Sequence, residues 1–485
     1  MNHRRQRISV RTRFMGMLGA VLIHGMVSLM QIHAQGTNEA VVYLDDMKQV
    51  IRGFGAANIL RWRPDMTADE IDKAFGTDEG QIGLTILRLR IPPDATSFRY
   101  NTPTAQAAHA RGVKIIASPW SPPAWMKTNN NIVGGRLRAS YYTDYAEHLK
   151  SFVDYMADNG VPLHAVSVQN EPDVRVDYES CDWNAAEMLT FVKENAPSIG
   201  VNIIVPESFN FNHTISDAIL NDSTAASHVT IIGGHIYGGG LRSYPLAESN
   251  GKEIWMTEHL DTDTTWNHVL ATGKEINDCM TVGMSAYIWW YIVRFYGPIG
   301  EDGNVSKRGY VMSQFSKFIR PGYIRVDATE RPQTQVYVTA YKGDSKLIIV
   351  VVNTGSSSKE QTFRIHNLTT DSIIITPYVT SKTKNCFQES DIAVSNGSFT
   401  ALLDGSSVTT FAADDISNKA DSSNALPQTI TLFQNYPNPF NSITHISYSI
   451  SKSDIVILKI YNLHGQGNAS IETSISSCRQ VYCYF

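Results

Sequence analysis

The sequence has little charge and little cysteine for its length. Among its 485 residues only 18% are charged and the net charge is −5, so it lacks the basic stripe that nucleic-acid binding requires. The five cysteines, at positions 181, 279, 386, 478 and 483, are odd in number and none shows metal-site spacing. A disulfide framework is therefore not expected, although a single bridge stays open. Without a metal-ligand cluster or a phosphate loop, neither a metal nor a cofactor is predicted.

The apolar run near the N-terminus is short and interrupted. It covers residues 14–30 and follows a basic region with five arginines, Arg4, Arg5, Arg7, Arg11 and Arg13. Ala34 then offers a small side chain at a plausible cleavage point, so residues 1–35 are predicted to be a secretory signal peptide. A membrane anchor is the alternative, and the glycines within the run argue against it. Either interpretation sends the rest of the chain out of the cytoplasm.

What the chain does have is a regular alternation of strand and helix signals over residues 52–323. Eight short apolar runs are typical of strands and begin at Gly53, Leu84, Val113, Leu163, Asn202, Val229, Glu253 and Ser285. Capped or amphipathic segments lie between them, such as residues 102–111, with Thr102 as predicted N-cap, and residues 141–159. Eight strand–helix repeats over about 270 residues predict an α/β fold, the (β/α)8 TIM barrel.

The rest of the chain carries mainly strand signals. Residues 324–414 hold a series of them, separated by Ser, Thr, Asn and Gly clusters, and predict an all-β sandwich side domain. Residues 36–51 are predicted to be N-terminal strands that join this side domain. A polar linker follows at residues 415–428, and residues 429–485 carry a further β pattern, a short C-terminal tail.

Two glutamates stand at the C-terminal ends of predicted barrel strands. The stretch AVSVQNEPD, residues 165–173, changes from small and β-branched residues to polar ones and contains Glu171, while EIWMTEH contains Glu258. Side chains at these strand ends face the active site of a barrel. Two carboxylates on different strands are the minimal equipment for cleaving a glycosidic bond. The alternative is that each glutamate is an ordinary surface residue at a strand end.

Nine stretches between residues 40 and 414 form a specific set. They are GFGAAN, SPWSPPAWMK, SVQNEPD, YESCDW, PESF, GGHIYGG, WMTEH, IWWYIVRFYGPIGEDGNVSKRGYVMSQFSKFIRPGY and VTAYKGD. Together they resemble glycoside hydrolase family 30, and most closely its bacterial glucuronoxylan endo-xylanase subfamily, subfamily 8. The resemblance implies a retaining endo-1,4-β-xylanase that hydrolyses glucuronoxylan.

The same resemblance implies roles for residues at the barrel mouth. Glu171 is the expected acid/base and Glu258 the expected nucleophile of a retaining mechanism, which needs carboxyls about 5–5.5 Å apart and forms a covalent glycosyl-enzyme. Glu258 must be ionised and Glu171 protonated, and we expect the charge of Glu258 to raise the pKa of Glu171. Asn170 is expected to donate a hydrogen bond to the sugar 2-hydroxyl.

Three aromatic residues near strand ends are expected, by the resemblance, to line the xylose subsites. They are Trp120, Tyr237 and Trp290, whose flat faces suit the apolar face of a pyranose. Packing within the barrel is the alternative for Trp120 and Trp290. Because successive side chains of a strand alternate, Trp289 must point away from Trp290, and we expect it between barrel and helices.

Recognition of a 4-O-methylglucuronic acid branch is implied for Arg294 and Tyr296. An arginine can pair with a carboxylate through two hydrogen bonds, and a tyrosine hydroxyl can add a third. The alternative is a structural Arg294 paired with an acid such as Glu301. The sequence also departs from the family pattern at Phe295, and Asp263 stands where the family has a serine that contacts the branch.

These departures leave the strictness of branch recognition open. An aspartate at position 263 that faced the glucuronate would repel it, whereas Thr262 or Thr264 in a slightly shifted loop could replace the serine. Within the enzyme class, the alternatives are a xylanase that ignores the acid branch and a family 30 glucanase. A non-catalytic carbohydrate-binding barrel is the alternative from another class, and the presence of both Glu171 and Glu258 argues against it.

The tail resembles the first half of the C-terminal sorting domain of the type IX secretion system. The matching stretches are residues 432–441 and 460–465, whereas the sequence from Gly467 onward does not fit the second half. We therefore expect an incomplete tail, and a reading-frame change near Gly467 is one hypothesis. The expected partners are the xylan substrate and, through the tail, the secretion machinery. We expect a monomer that is extracellular or attached to the cell surface.

Overall fold

The computed structural model describes residues 38–60, 63–343, 345–368, 372–414 and 416, and four short backbone strands of the tail. The predicted signal peptide and most of the predicted linker lie outside the described residues. In the tail, the strands are Thr431–Leu432, Tyr448–Ser449, Asp454–Tyr461 and Gly467–Ile475, which pair in sequence as two antiparallel ladders. A search of the described helices finds none with the length and apolar character to cross a membrane.

Eight parallel strands close into a barrel, which confirms the predicted fold class. In chain order they are β2 (Gly53–Ala57), β3 (Ile86–Ile91), β4 (Lys114–Pro119), β5 (Ala165–Ser167), β6 (Asn202–Ser208), β7 (Ile231–His235), β8 (Glu253–Glu258) and β9 (Ala286–Tyr291). Strand β9 pairs with β2 and completes the ring. Branched and aromatic side chains such as Ile86, Ile204 and Trp255 are fully buried as one cluster, so the barrel is a packed core.

Helices follow the strands along the described part of the chain. They are α1 (Ala68–Phe75), α2 (Thr102–His109), α3 (Tyr142–Asp158), α4 (Ala185–Glu194), α5 (Thr214–Leu220), α6 (Ser223–Ser227), α7 (Pro245–Ser249), α8 (Trp266–Thr281) and α9 (Lys307–Ser316). The predicted N-cap Thr102 is wrong: Asn101 occupies that position, and Thr102 is the first helical residue. The Thr102 hydroxyl donates back to the carbonyl of Arg99 instead of capping the helix (2.8 Å).

The strand that precedes Glu171 is shorter than its sequence pattern indicates. Strand β5 ends at Ser167, so Glu171 lies on the loop that follows it. Hydrogen bonds still extend the barrel to this loop, because the amide of Glu171 donates to the carbonyl of Glu207 (3.0 Å). The polar residues 169–171 therefore leave the strand pattern while remaining fixed at its C-terminal end.

The side domain is a second β region, in which every described strand pair but one is antiparallel. It contains β1 (Glu39–Val50), β10 (Ile324–Ala328), β11 (Val336–Gly343), β12 (Lys346–Asn353), β13 (Lys359–His366), β14 (Ser372–Thr380), β15 (Phe387–Gln388), β16 (Ile392–Ser395), β17 (Ser398–Leu403) and β18 (Ser407–Ala413). Strand β1 lies between β10 and β13, and β14 also pairs with β18, so the sheet folds over on itself. Its core is an apolar cluster of its own that includes Phe363, Phe399 and Phe411.

The side domain packs against α8 and α9, the helices that follow the last two barrel strands. Trp266 of α8 donates its indole N–H to the carbonyl of Ser406 (3.0 Å). On α9, the side-chain amide of Gln314 donates to Thr380 Oγ1 (2.8 Å). The backbone carbonyl of Gln314 accepts from Thr410 Oγ1 (2.6 Å). The sheet thereby supports the segments behind β8 and β9, whose C-terminal ends carry Glu258 and Trp290.

Candidate active site

A cluster of charged and polar side chains fills the C-terminal end of the barrel. Its members come from different strands or the loops directly after them: Arg88 from β3, Asn170 and Glu171 after β5, Glu207 from β6, His235 from β7, Tyr237 after β7 and Glu258 from β8. All but Tyr237 are buried. Buried charges are costly unless they are paired, so the arrangement of partners determines what this cluster can do.

Glu171 and Glu258, predicted from the sequence, are brought together. One carboxylate oxygen from each, together with a ring nitrogen of His235, all lie within 4.8 Å of one another. The side chains are 5% and 6% exposed, so each carboxyl is open only toward the barrel mouth. Two carboxyls this close match the short separation that retaining glycosidases use, and not the wider one that leaves room for a water in inverting enzymes.

Glu258 is held by two donors. The Arg88 guanidinium Nη1 donates to Glu258 Oε2, and the Tyr237 hydroxyl donates to Oε1 (2.8 Å). Burial raises the pKa of the Glu258 carboxyl, while His235, Arg88 and the Tyr237 hydrogen bond oppose that rise. Both hydrogen bonds are stronger to an ionised carboxyl than to a neutral one, so these two donors favour the Glu258 carboxylate against the effect of burial.

Glu171 has a different pair of partners. His235 Nδ1 lies 2.9 Å from Oε1, and the Tyr178 hydroxyl donates to Oε2 (3.1 Å). Glu171 itself adopts a left-handed backbone conformation with φ of 47°, which turns its side chain from the loop into the cluster. Burial alone would lower the pKa of His235, but the negative charges of Glu258 and Glu171 outweigh it, so that pKa is raised.

Arg88 also fixes Asn170. Its Nη2 donates to Asn170 Oδ1 (2.6 Å), so the amide nitrogen is the atom of Asn170 that can donate to a sugar hydroxyl. One guanidinium thus orients the predicted 2-hydroxyl contact and the predicted nucleophile together. The fork geometry of arginine suits this task, because its several N–H groups point in fixed directions.

The aromatic residues lie beside this cluster. The rings of Trp120 and Trp290 are 5.6 Å apart, and the Arg88 guanidinium stands 4.9 Å over the Trp120 ring. Trp120 is buried, whereas Trp290 and Tyr237 are partly exposed and can face a sugar. Trp289 is turned the other way, as expected from strand alternation: it is buried and lies under Arg308 of α9 (4.7 Å).

The candidate branch-binding residues follow β9 and form a second cluster. The Arg294 guanidinium stands 5.5 Å over the Tyr291 ring, and its Nη1 lies 3.4 Å from Glu301 Oε1. Tyr296 is buried, which raises the pKa of its hydroxyl, and the nearby Arg294 charge opposes that rise. The acid considered as an alternative partner is therefore present, but Glu301 is largely exposed and the pair is long. Such a pair contributes little and can exchange for another carboxylate.

Asp263 does not offer a hydrogen-bond donor in place of the family serine. Its Oδ1 accepts from the amide of Thr265 (2.7 Å), and its Oδ2 lies 3.5 Å from His268 Nε2. The hydrogen bonds from Thr265 and the charge of His268 lower the pKa of Asp263, which keeps it ionised. The carboxylate is thus engaged by Thr265, which precedes α8, and by His268 in the first turn of that helix.

Comparison with known proteins identifies the family of this chain. Residues 91–252 match the glycosyl hydrolase family 30 TIM-barrel domain. The chain is 40% identical over 392 residues to glucuronoxylanase XynC of Bacillus subtilis (strain 168), covering 78% of this chain and 92% of that protein. The chain belongs to glycoside hydrolase family 30. It is therefore an enzyme, a glycosidase built on a TIM barrel.

Solved structures of family 30 members have the same fold as this chain. The xylanase Xyn30A of Clostridium acetobutylicum, a subfamily 8 member, is 42% identical with a TM-score of 0.73, and the match covers 78% of this chain and all of that one. An endoxylanase of family 30 from Clostridium papyrosolvens C71 gives 41% identity and a TM-score of 0.71 with the same coverage. The matched region is long enough to include both the barrel and the side domain.

Sequence reasoning missed four residues of this family 30 site: Arg88, Tyr178, Glu207 and His235. The signal for Arg88 was its position inside the apolar strand ILRLRI, where a charge needs a buried partner. Glu207 likewise follows the apolar run of NIIVPES, and His235 ends the strand IIGGH. Tyr178 lies in a loop and had no such signal.

Glu171, His235 and Glu258 also present ligand-type atoms close enough for a metal ion. The positive charge at this point is already supplied, however, because Arg88 donates directly to Glu258. Hydrolysis by two carboxylates requires no metal. We therefore assign these residues to family 30 hydrolysis and not to a metal site.

Proposed function

We propose that this family 30 hydrolase is a secreted, retaining endo-1,4-β-xylanase that cuts glucuronoxylan, directed by 4-O-methylglucuronic acid branches. The substrate class is supported by the relatives named as glucuronoxylanase and xylanase at 40% and 42% identity. The retaining mechanism is supported by the observation that carries the proposal, namely carboxylate oxygens of Glu171 and Glu258 within 4.8 Å.

In the first chemical step, Glu258 attacks the anomeric carbon of the xylose in the −1 position. The bond from that carbon to the bridging oxygen breaks, Glu171 gives its proton to this oxygen, and a covalent xylosyl ester forms on Glu258. The Arg88 and Tyr237 donors stabilise the carboxylate before attack and orient the oxygen that reacts. The departing chain carries the proton of Glu171 away as its new hydroxyl.

In the second step, the ionised Glu171 accepts a proton from water, and the water oxygen attacks the same carbon. The ester bond breaks, Glu258 is released as a carboxylate and Glu171 is protonated again. Asn170 assists both steps, because a hydrogen bond from its amide nitrogen to the 2-hydroxyl strengthens as positive charge develops at the anomeric carbon. Two inversions leave the product in the β configuration.

Branch recognition is assigned to Arg294 and Tyr296. The weak, exposed pair with Glu301 can give way to the carboxylate of the branch, which would accept from the Arg294 guanidinium and the Tyr296 hydroxyl. The engaged Asp263 and the same Glu301 pair favour a second candidate, a family 30 xylanase without strict branch dependence. We propose further that residues 1–35 direct export, that the tail contacts secretion machinery, and that the enzyme acts as a monomer.

The test compares glucuronoxylan, arabinoxylan and linear xylo-oligosaccharides with the purified enzyme. Products are read by mass spectrometry, and early anomer ratios by NMR. We expect fast cleavage of glucuronoxylan to products that each carry one methylglucuronate at a fixed position, with β-anomers formed first. Equal cleavage of all three substrates would contradict branch recognition and leave the proposed xylanase activity standing. Formation of α-anomers first would contradict the retaining mechanism.

A pair of variants separates the two candidates. Arg294→Ala should reduce cleavage of glucuronoxylan about 10- to 100-fold and leave linear oligosaccharides unaffected, because a charge-assisted contact to the branch is lost. The matched control is Arg331→Ala, since Arg331 also stacks on a tyrosine, Tyr337, but belongs to the side domain. If Arg294→Ala reduced cleavage of linear oligosaccharides as much as cleavage of glucuronoxylan, Arg294 would not act in branch recognition.

A further inference from the structure

A third carboxyl group lies beneath the two catalytic ones. Glu207, at the end of β6, is fully buried, and its Oε1 lies 3.3 Å from Arg88 Nη2 and 4.0 Å from His235 Nε2. Burial would raise the pKa of Glu207, but the charges of Arg88 and His235 and the hydroxyls of Ser167 and Ser118 outweigh it and lower that pKa. Glu207 is therefore a buried carboxylate that cannot itself contact a substrate in the barrel mouth.

The two neighbours of Glu207 are the residues that hold the catalytic pair. Arg88 presents one nitrogen to Glu207 and another to Glu258. His235 presents Nε2 toward Glu207 and Nδ1 to Glu171. Each catalytic glutamate is thus separated from Glu207 by one intermediate side chain. The contacts of Glu207 with these two side chains are charge interactions, because its carboxylate oxygens and His235 Nε2 have no hydrogen-bond partner among the described residues.

The backbone also fixes Glu207 at this point. Its φ of 56° lies in the left-handed region, where a non-glycine residue is held only by its surroundings. Its carbonyl accepts from the amide of Glu171 (3.0 Å). Gly233 on the neighbouring strand leaves room, since a Cβ there would stand 3.4 Å from Glu207 Cγ and 2.6 Å from Ile204 Cγ2.

We propose that Glu207 is a positioning residue for hydrolysis: through Arg88 it orients the nucleophile, and through His235 it sets the protonation of the acid/base. This inference rests on the proposed roles of Glu258 and Glu171. It adds a residue that touches neither the sugar nor the reacting atoms. Its effect comes from geometry, because it ties Arg88 in place, and from charge, because it is a third carboxylate in one buried cluster.

The effect on pH dependence follows from the charges in the cluster. The ionisable groups that face it are Arg88, His235, Glu171, Glu258 and the phenols of Tyr178 and Tyr237. Because the ionisable groups of this cluster interact, their protons leave in steps that belong to the cluster as a whole. Removing one fixed negative charge makes every such step occur at lower pH, whichever atom carries the proton.

The test is Glu207→Gln, which keeps size and removes charge. We expect kcat on glucuronoxylan to fall about 10- to 100-fold while KM changes less than about threefold, because catalytic groups are misplaced and sugar contacts are not. Both limbs of the pH–rate profile should move to lower pH by about one unit. Glu207→Asp, which keeps the charge, should restore the wild-type limbs even where kcat stays reduced.

The matched control is Glu179→Gln, another fully buried carboxyl, which pairs with Arg90 outside the cluster (2.6 Å). It should lower the melting temperature without moving the pH limbs. NMR of ¹⁵N-histidine-labelled enzyme adds a readout that does not depend on the substrate: His235 should lose its proton at lower pH in Glu207→Gln.

Two results would overturn the proposal. One is a folded Glu207→Gln enzyme with unchanged pH limbs and unchanged His235 titration. The other is a shift of equal size in Glu179→Gln, which would make the effect a general consequence of removing a buried charge. Failure of the proposed function looks different, because the wild-type enzyme would then fail to cut xylan while the His235 titration would still respond to Glu207→Gln.

Discussion

At the scale of single residues, Arg88 joins several parts of the candidate site. Its guanidinium contacts Glu258, Asn170 and Glu207, and it stands over the ring of Trp120. Burying an arginine costs free energy, and here the two carboxylates and the aromatic ring offset that cost. The side chain supplies positive charge next to Glu258, the proposed nucleophile, at the position where metal-dependent enzymes place an ion.

Tyr237 gives a prediction for this scale. Tyr237→Phe removes one donor to Glu258 and should lower kcat about 10- to 100-fold, since a hydrogen bond to a charged group contributes about 1.5–3 kcal/mol. The lost hydrogen bond favoured the ionised carboxyl, so the pKa of Glu258 should rise further. The nucleophile must be ionised, and the acidic limb of the pH–rate profile should therefore move to higher pH.

The matched control for Tyr237→Phe is Tyr244→Phe. Tyr244 is buried and, like Tyr237, donates to a carboxylate, that of Asp217 (2.5 Å), away from the barrel mouth. This variant should lose stability and keep the wild-type pH profile. An acidic limb that moves to lower pH in Tyr237→Phe would contradict the assignment of Glu258 as the ionised nucleophile.

At the scale of elements, two long loops beside Glu171 form one unit. Lys127 is buried, and its ammonium donates to Ser121 Oγ (2.9 Å) and to the carbonyl of Ser180 (2.5 Å). Backbone pairing joins the same loops, since Val133 bridges to Glu179. Tyr178, which contacts Glu171, the proposed acid/base, therefore lies on a loop that Lys127 joins to the loop after β4.

We expect Lys127→Met to loosen this unit. The variant fills the same space without the two hydrogen bonds, so the carbonyl of Ser180 loses a buried donor at a cost of about 1–3 kcal/mol. The melting temperature should fall by a few degrees, and kcat should fall as well because Tyr178 is less well held. Differential scanning calorimetry and xylan hydrolysis measure the two effects.

Lys150→Met is the control for this element. Lys150 lies on the exposed face of α3 and pairs with Asp154, one helical turn away. Stability should change by less than about 0.5 kcal/mol, as is usual for exposed pairs. Equal effects in both variants would contradict a stabilising role for the two hydrogen bonds of Lys127.

The strand and helix pattern could be predicted from the sequence, and loop conformation could not. Strand β8 begins and ends where its pattern indicates, at Glu253 and Glu258, because apolar alternation is a property of the strand itself. Strand β5 ends earlier than its pattern, and Glu171 reaches the cluster through a left-handed backbone conformation. That conformation depends on contacts with Glu207, which lies on another strand and is not encoded locally.

The same distinction applies to the site. Glu171 and Glu258 could be recognised because each follows an apolar run, and a polar residue at that position needs a reason. Their partners could not be paired from sequence, since which carboxylate Arg88 contacts depends on barrel register. The expected role of Tyr237 as a sugar platform also needs extension, because its hydroxyl bonds to Glu258.

At the scale of the whole molecule, the described contacts of the side domain end at Ile416, whose amide donates to the carbonyl of Ser345 (2.8 Å). We therefore expect a chain of residues 38–416 to keep full xylanase activity and the wild-type melting temperature. Activity assays and calorimetry on this shortened chain check the prediction. A large loss of activity would show that the tail contributes to the catalytic part.

A chain that ends at residue 403 is the control. It lacks β18, which pairs with both β12 and β14 and supplies Thr410 to the contact with α9. Removing it exposes the core of the side domain and the outer faces of α8 and α9. This chain should not fold, and a stable, active enzyme of that length would contradict a supporting role for the sheet.

Strand β1 has a consequence for the order of assembly. The amide of Val41 donates to Thr329 Oγ1 across 288 positions of sequence, and the whole barrel lies between the two partners. Bringing such distant segments together is slow, because the loop must close before any contact rewards it. During synthesis, β1 thus waits until the barrel and β10 have been made, and until then it is open to proteases and to pairing with a neighbouring chain.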